Sequence, residues 1–440
     1  MLTKKLMGAG GAGGAAAEEY WIALLGGTGV EIFEGVTVDG AGDIICVGRT
    51  SSDGAGSYDG LIAKYNSSGT LQWDRTLGGT GYEAFFDVAV DGSDNIICVG
   101  QTTSDGAGSA DALIAKYNSS GTLQWDRTLG GTGAELFWGV RVDGSDNIIC
   151  AGRINSDGAG SDDGFIAKYN SSGTLQWDRT LGGTNYEYFY GVTVDSSDNY
   201  ICAGTTTSDG AGGSDGFIAK YNSSGTLQWD RTLGGSGLDN FWVVAVDSAD
   251  NIICVGQTRS DGAGAVDCLI AKYNSSGTLQ WDRTLGGTGS EAFYGIAVDS
   301  SDNIICAGYT NSDGAGGGDG LIAKYNSSGT LQWDRTLGGT SGDEFLGATV
   351  DGSDNIICVG YTQSDGAGSL DAMTFRIISD GTLTGTYGAF VYEDAVLTDA
   401  EAVLTDAEAV LTDAAAVLTD AAAVLTDAEA VLTAVLIEVS

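Results

Sequence analysis

The chain has 440 residues and a formal net charge of −40 at pH 7, and it contains neither histidine nor proline. Without histidine, a Ser-His-Asp triad, a Cys-His pair and an imidazole zinc site are excluded. The negative charge argues against nucleic acid and anionic membranes as partners, because both are bound through lysine and arginine. No apolar run reaches the roughly 18 residues of a membrane-spanning helix, so we expect no membrane insertion.

Residues 1–19 are rich in glycine and alanine and come before any repeated sequence. Their two lysines and their alanines faintly resemble a signal peptide, but the glycine-rich middle is a poor hydrophobic segment. We therefore predict a flexible leader, with a weak export signal as the alternative.

A repeat of 52 residues occupies the chain from residue 20 to about 385. Its tryptophans are Trp21, Trp73, Trp125, Trp177, Trp229, Trp281 and Trp333. One phenylalanine and one cysteine recur with the same spacing. Periods of this length are typical of solenoids, propellers and other repeat arrays.

Each unit contains four short β-rich segments separated by turn residues, without helical periodicity. In the unit that begins at Phe85 they are 85–91, 95–101, 112–117 and 123–129, named here strands A, B, C and D from the axis outward. Four short strands per repeat are typical of a propeller blade. We predict an all-β, seven-bladed propeller of four-stranded blades over residues 20–388.

The positions of the strands also predict how the ring closes. The last A, B and C strands, 345–351, 355–361 and 372–378, are followed by no tryptophan strand. The first tryptophan lies in a D strand that has no blade before it. We predict that residues 20–26 supply the outer strand of the seventh blade.

The units resemble the bacterial β-propeller repeat (SBBP) family. The resemblance rests on GVTVDSSDNYICAG (191–204), DGFIAKYNSSG (215–225) and the tryptophan strand that ends in Leu-Gly-Gly, and it extends to all seven units. Near-identical units of this kind also resemble those of structural proteins of marine phages. The resemblance implies a surface-exposed or extracellular binding or structural role without a defined reaction.

Sequence differences between the units gather at one end of the propeller. D–A and B–C loops share that end, and they change from blade to blade, whereas A–B and C–D turns hardly change. Arg49, Arg153 and Arg259 are departures from the repeat at the variable end. We interpret this end as the ligand face, and neutral drift in exposed loops is the alternative.

Aromatic residues at the start of strand A are the candidate ligand-binding side chains, together with Arg153 and Arg259. They are Phe86, Trp138, Tyr190, Trp242 and Tyr294. Aromatic rings at a propeller mouth can stack on sugar rings. Packing of the same rings between blades is the alternative.

Acidic residues recur in every unit, and calcium is the one cofactor they suggest. The candidate ligands are Glu83, Asp105, Asp111 and their blade equivalents. Calcium needs about 6–8 oxygen ligands, and the spacing departs from that of an EF-hand. The alternative is that these carboxylates accept hydrogen bonds from backbone N–H groups of the adjacent loops.

Seven of the eight cysteines occupy strand B, and Cys268 is an extra one. Packed sheets lie about 10 Å apart, which exceeds the roughly 7 Å Cα separation that a disulfide tolerates. We predict buried free thiols and folding in a reducing compartment.

The tail, residues 389–440, repeats AVLTDAE from Ala395, and its leucines are seven residues apart. An odd period alternates faces in a continuous strand, whereas a helix keeps the leucines in one stripe. We predict a helix over 393–433 that self-associates as a coiled-coil stalk, with a frayed tail as the alternative.

These features together predict a non-catalytic binding or display protein. It would be a virion appendage or a cell-surface or extracellular protein, folded first in a reducing cytoplasm, that contacts a surface glycan or a protein ligand. Near-identical units favour many equal weak contacts over one asymmetric site. A calcium-dependent bacterial adhesin is the alternative, and a glycosidase is less favoured because it needs a unique acid pair with a raised pKa.

Overall fold

Seven antiparallel sheets surround a central axis, each with its strands in the order A, B, C and D from the axis outward. The A strands are Glu31–Val38, Glu83–Val90, Leu136–Val142, Glu187–Val194, Asp239–Val246, Glu291–Val298 and Asp343–Val350. The B strands are Ile44–Thr50, Ile96–Thr102, Ile148–Ile154, Tyr200–Thr206, Ile252–Thr258, Ile304–Thr310 and Ile356–Thr362. The C strands are Asp59–Tyr65, Asp111–Tyr117, Asp163–Tyr169, Asp215–Tyr221, Asp267–Tyr273, Asp319–Tyr325 and Asp371–Ile377. The D strands of blades 1 to 6 are Leu71–Gly78, Leu123–Gly130, Leu175–Gly182, Leu227–Gly234, Leu279–Gly286 and Leu331–Gly338.

This architecture is that of a computed structural model. It describes residues 3–8, 20–381, 385–387, 389–409, 411–414, 416, 418–422, 425–429 and 433–436. These residues contain no helix, which confirms the all-β, seven-bladed propeller of four-stranded blades. They accordingly include no helix of the length and hydrophobicity that a membrane crossing requires.

The hydrophobic core lies between neighbouring blades. B strands such as Ile96–Thr102 are buried on both faces, because a blade packs against a neighbour on each side. One core cluster joins Ile149 and Ile166 of blade 3 to Phe189 and Cys202 of blade 4. All eight cysteines are buried and free, as predicted.

The ring closes as predicted from the first tryptophan. Trp21–Gly26 pairs antiparallel with Asp371–Ile377 and is the D strand of blade 7. Outside it lies a further strand, Thr3–Gly8, which pairs antiparallel with Trp21–Gly26. This strand differs from the flexible leader predicted over 1–19, and residues 9–19 of that leader lie outside the described residues.

The predicted helix over 393–433 is wrong for the described residues of the tail. These residues form short strands, named here the belt, each antiparallel to the D strand of one blade. In the order of blades 6 to 1, the belt strands are Phe390–Asp394, Thr398–Glu401, Thr405–Ala407, Thr412–Ala414, Thr419–Ala422 and Thr426–Glu429. Gly385–Tyr387 forms a hairpin with the first belt strand, and Thr433–Leu436 pairs parallel with Thr3–Gly8.

The seven-residue period fits the belt because the belt is not one continuous strand. Each Ala-Val-Leu step carries the chain to the next blade, so the alternation of faces restarts in every strand. Ala402 and Leu404 pack into the core between blades 4 and 5, while Val403 is 84% exposed. Tyr325 donates a hydrogen bond to Asp399 of the belt at 3.3 Å.

These contacts partly cover the leucines that suggested a coiled-coil stalk. The described belt leucines are half-buried against the chain's own ring, so a second chain is not needed to cover them. Self-association through 393–433 stays a prediction.

Candidate functional site

The axis of the ring opens at the D–A/B–C end into a cavity of about 430 Å³, named here the mouth. Each blade contributes one side chain from the same position of strand A. These residues are Glu34, Phe86, Trp138, Tyr190, Trp242, Tyr294 and Leu346. All seven are half-buried.

A β-bulge in every A strand places these side chains. In blade 2 the register with strand B shifts between Phe85 and Asp87, so Phe86 is the extra residue. The same shift occurs in the other six blades. A bulge re-aims a side chain locally, and here the re-aimed residue lines the axis.

Four of the predicted aromatic residues form a continuous arc along the mouth over blades 3 to 6. The ring centroids of Trp138 and Tyr190 are 4.7 Å apart, and those of Tyr190 and Trp242 are 4.5 Å apart. Trp242 and Tyr294 follow at 5.8 Å. Phe86 lines the mouth on blade 2. The aromatic core between blades is instead made by residues such as Phe189, which is fully buried.

The indole N–H of Trp242 is a polar group that these contacts leave free. Its nitrogen is buried at the mouth and has no hydrogen-bond partner among the described residues. In the same A strand of blade 5, the Asn240 side-chain oxygen accepts hydrogen bonds from Thr205 and Ser214 of blade 4. The arc therefore has polar groups beside it.

The two predicted arginines are placed differently. Arg153 lies over the rings of Trp138 and Tyr188, at 5.9 and 5.6 Å from their centroids. Its guanidinium pairs with Asp162 at 2.9 Å, and Tyr188 donates to the same carboxylate at 3.0 Å. Arg259 is exposed and lies outside the lining of the mouth.

Two further ion pairs break the symmetry of the ring. Arg141 pairs with Asp87 at 2.7 Å, and both residues line the mouth. Asp87 also accepts a hydrogen bond from the backbone N–H of Val140 at 3.0 Å, which ties blade 2 to blade 3. Arg49 pairs with Glu34 at the blade 1 side.

Sequence reasoning assigned no role to two glutamates, Glu34, which lines the mouth, and Glu344, which lies in the A strand of blade 7 outside the lining. Burial raises the pKa of Glu34, against the opposing effect of Arg49, and the charge of Glu344 raises it further. Burial also raises the pKa of Glu344, which accepts a hydrogen bond from Tyr361. Their one sequence signal was that both depart from the repeat.

The mouth is thus asymmetric although its scaffold is repeated. Acids line it on blades 1 and 2, aromatic rings on blades 2 to 6 and a leucine on blade 7. This differs from the expectation of many equal contacts. Below the mouth the axial channel is lined mainly by apolar side chains such as Val88, Val142 and Val350.

The predicted calcium ligands already have partners. Glu83 accepts hydrogen bonds from Gly79 N–H at 2.6 Å and from the Thr102 hydroxyl at 2.9 Å. Asp111 accepts from two loop N–H groups at 3.1 Å, and Asp105 accepts from the N–H of the glycine after it at 2.9 Å. No group of three or more metal-ligating side chains occurs within the described part of the chain. Calcium binding stays a prediction.

At the opposite end, the turn end, the A–B and C–D turns repeat the same bonds from blade to blade. Six A–B turns donate a backbone N–H to an aspartate of the next turn, at 2.9–3.0 Å. These aspartates are Asp94, Asp146, Asp198, Asp250, Asp302 and Asp354, and all have positive φ. Lysines such as Lys272 pair beside them with a buried aspartate, Asp247, at 2.8 Å.

No protein family model matches the chain, so membership of the bacterial β-propeller repeat family stays a prediction. An uncharacterized WD repeat-containing protein of Acanthamoeba polyphaga mimivirus is 22% identical over 68% of this chain, which spans 31% of the length of that protein.

Two solved structures are similar in fold. Polysaccharide lyase Uly1 has a TM-score of 0.47 at 9% identity, covering 80% of this chain and 90% of its own. The WD40 domain of Neurospora crassa Pan2 has a TM-score of 0.46 at 8% identity, covering 78% and 89%. The propeller architecture itself rests on the sheet topology of the chain.

Proposed function

We propose that this protein is a non-catalytic propeller that binds carbohydrate at its mouth. The aromatic arc of Trp138, Tyr190, Trp242 and Tyr294 carries this proposal. Its rings are half-buried around a cavity of about 430 Å³, within the range of about 300–1,000 Å³ typical of small-ligand sites. Such rings offer apolar faces on which the C–H faces of a sugar can stack.

Polar groups beside the arc support a sugar rather than a purely apolar ligand. Ligand sites combine apolar walls with a few polar groups that fix orientation. The Trp242 N–H is free to donate, and the Asp162 and Asn240 oxygens lie at the same end of the propeller. A sugar hydroxyl both donates and accepts, so it suits such a mixed set.

A glycan array with the whole protein tests this function. We expect Trp138→Ala and Trp242→Ala to lose most of the binding that the unmodified protein shows. Tyr186→Ala is the matched control, because Tyr186 is a 46% exposed aromatic residue at the same end but outside the lining. Equal binding by all four proteins would remove the aromatic arc from the function.

Glycoside hydrolysis is the second candidate, because Glu34 and Glu344 are the off-pattern acids with raised pKa that it requires. The Arg49 ion pair that occupies Glu34 favours binding without reaction. Incubation with a bound oligosaccharide separates the two candidates. We expect no new reducing ends. Their release by the unmodified protein, lost in Glu344→Gln, would establish hydrolysis.

We further propose that the protein acts on a virion or cell surface, where it displays this site to a glycan or a protein ligand. The eight buried free thiols support folding in a reducing cytoplasm beforehand. The resemblance to bacterial β-propeller repeats supports the surface role. A calcium-dependent adhesin is the alternative. It would be supported by a higher melting temperature in calcium than in chelator, and we expect no difference.

A further inference from the structure

We infer that the mouth binds the free end of a glycan chain, and that Arg141 recognises two adjacent hydroxyls of the terminal sugar. This inference rests on the carbohydrate function proposed above and adds which part of a glycan is bound. It follows from the shape of the mouth, from the free donors of Arg141 and from the chemistry of chain ends.

The mouth is enclosed on all sides, because each of the seven blades places one bulge residue around the axis. The aromatic arc forms the wall on blades 3 to 6, and Leu346, Glu34 and Phe86 form it on blades 7, 1 and 2. A glycan that lay across this ring would contact only the rim. A chain end that enters along the axis can contact the inside of the wall.

Arg141 lies where the mouth meets the axial channel, and it lines both cavities. Its guanidinium pairs with Asp87, the residue that follows the bulge of blade 2 in the direction of the channel. Among the described residues, no other cation lines either cavity. The channel side chains are mainly valine, isoleucine and alanine, with hydroxyls only on Thr37 and Thr349. A chain end that enters the mouth therefore meets its strongest donor at Arg141.

Arg141 keeps hydrogen-bond donors free for a ligand. Its Nη1 atom alone has partners among the described residues, the Asp87 carboxylate at 2.7 Å and the Val140 carbonyl at 2.6 Å. Nε and Nη2 remain, and the side chain is 34% exposed. Asp87 also accepts from the backbone N–H groups of Val88 and Val140, at 2.8 and 3.0 Å. A carboxylate fixed by three donors in turn fixes the orientation of the guanidinium.

This ion pair occurs once in the ring. The other six blades have threonine or alanine in place of Arg141, and glycine or valine in place of Asp87. An ion pair that the ring required would recur, as the pair of Lys272 and Asp247 does in other blades. A single occurrence, at a cavity, instead favours a role in binding one ligand.

The free donors of Arg141 specify the chemistry of the group that they bind. Nε and Nη2 share one edge of the planar guanidinium, and their N–H groups suit two acceptor atoms that lie side by side. Adjacent equatorial hydroxyls of a sugar provide such acceptors. In a 1,4-linked chain the sugar at the non-reducing end has free hydroxyls at carbons 3 and 4. Every internal sugar has lost the hydroxyl at carbon 4 to the linkage, so this edge distinguishes an end from the interior.

Calorimetric titration of the whole protein with cellohexaose, maltohexaose and β-1,4-linked mannohexaose tests the inference. Each hexasaccharide is used in its free form and in a capped form, in which an ethylidene acetal bridges carbons 4 and 6 of the non-reducing end. We expect at least one free form to bind, and its capped form to bind about tenfold more weakly. The cap removes the hydroxyl at carbon 4 and widens the chain end.

Variants locate this discrimination on Arg141. Arg141→Lys keeps a cation beside Asp87 but lacks the edge with two donors. It should lower affinity for the free form about tenfold and leave the capped form unchanged. Arg376→Lys is the matched control, since Arg376 pairs with Asp351 at the turn end and the other six blades have lysine at its position. If Arg141→Lys fails to fold, Asp87→Asn weakens the orientation of the same guanidinium and should reduce the discrimination.

Each outcome separates this inference from the function on which it rests. Equal binding of the free and capped forms would overturn the recognition of chain ends and leave the carbohydrate function standing. Retention of the full discrimination in Arg141→Lys would overturn the role of that residue. Binding of none of the hexasaccharides would overturn the carbohydrate function together with the inference.

Discussion

The mouth and the turn end are built from the same seven repeats, yet they differ in how much they vary. At the turn end, six A–B turns make the same interblade hydrogen bond. At the mouth, the equivalent bulge position holds an acid, five aromatic residues and a leucine. One end of the repeat therefore holds the ring together, whereas the side chains at the other end are free to differ between blades.

The physical reason lies in what each side chain does for the backbone. Asp302 of the turn end has a φ of 59° and accepts hydrogen bonds from both the N–H and the hydroxyl of Ser248. Few residues can replace it, because both the backbone conformation and the bonds depend on it. A bulge residue is outside the ladder of paired residues. Exchange of its side chain therefore leaves the sheet intact.

The largest expected effect is on a buried ion pair of the turn end. Lys272→Met should lower the free energy of unfolding by about 3 kcal/mol, because it leaves Asp247 buried without its cation. Chemical denaturation measures this loss. Lys272→Arg is the matched control, since blade 7 carries Arg376 at this position, paired with Asp351 at 2.9 Å. Altered glycan affinity in the folded Lys272→Met protein would contradict the assignment of stability to the turn end and of binding to the mouth.

A smaller loss is expected at the interblade turn bond. Asp302→Ala should cost about 2 kcal/mol, about half from the left-handed backbone and half from the lost hydrogen bonds. Asp302→Gly should recover the backbone part. Blade 1 already has Gly42 at this position, with φ of 82° and no atom within 4 Å of a Cβ placed there. Equal stability of the alanine and glycine variants in urea denaturation would show that backbone conformation is not part of the constraint.

The smallest expected effect is the pH dependence of stability, because the two ends titrate in opposite directions. At the mouth end, burial raises the pKa of aspartates that begin C strands, to about 6 for Asp319. These aspartates are Asp59, Asp163, Asp215, Asp267, Asp319 and Asp371. At the turn end burial is outweighed by hydrogen bonds, such as those from Lys116 and Asn95 to Asp91, so the pKa is lowered. The same lowering applies to Asp143, Asp195, Asp247, Asp299 and Asp351.

The direction in which stability changes with pH follows from the linkage between protonation and folding. A raised pKa means that the folded state binds protons more tightly, so stability increases as pH falls through about 6. A lowered pKa contributes stability above the ordinary value of 3.8 that is lost as pH falls below it. Urea midpoints should therefore rise from pH 7 to about 4 and decline below. A midpoint that falls steadily from pH 7 would contradict the shifts at the mouth end.

The ring could be predicted from sequence because spacing alone specifies it. Seven tryptophans at one interval, with the first in a strand that lacks its own blade, led directly to the closure by Trp21–Gly26. The mouth could be predicted only in part. The aromatic residues were visible as departures from the repeat. The bulge that turns them to the axis has no recognisable pattern in the sequence of an alternating apolar strand. Without knowledge of the bulge, Glu34 could not be placed beside them.

The tail was mispredicted because periodicity was applied to a continuous element. Its seven-residue spacing is compatible with a stripe of leucines on a helix. The prediction of a helix assumed that each Ala-Val-Leu segment belongs to the same continuous element. In the structure this segment is where the chain leaves one blade for the next, as at Ala402 and Leu404. The repeat length of a segment depends on the spacing of the surface on which the segment packs as well as on the geometry of its own backbone.

The belt implies a rule of copy number. One seven-residue unit of tail serves one 52-residue blade, and the belt strands meet blades 6 to 1 in reverse order. Duplication of a blade in the gene would enlarge the ring but leave one outer strand without its cover, and exposed strand edges promote aggregation. Gain or loss of a blade is therefore tolerated best when the tail gains or loses seven residues at the same time. The length of the tail therefore reflects the number of blades that it covers.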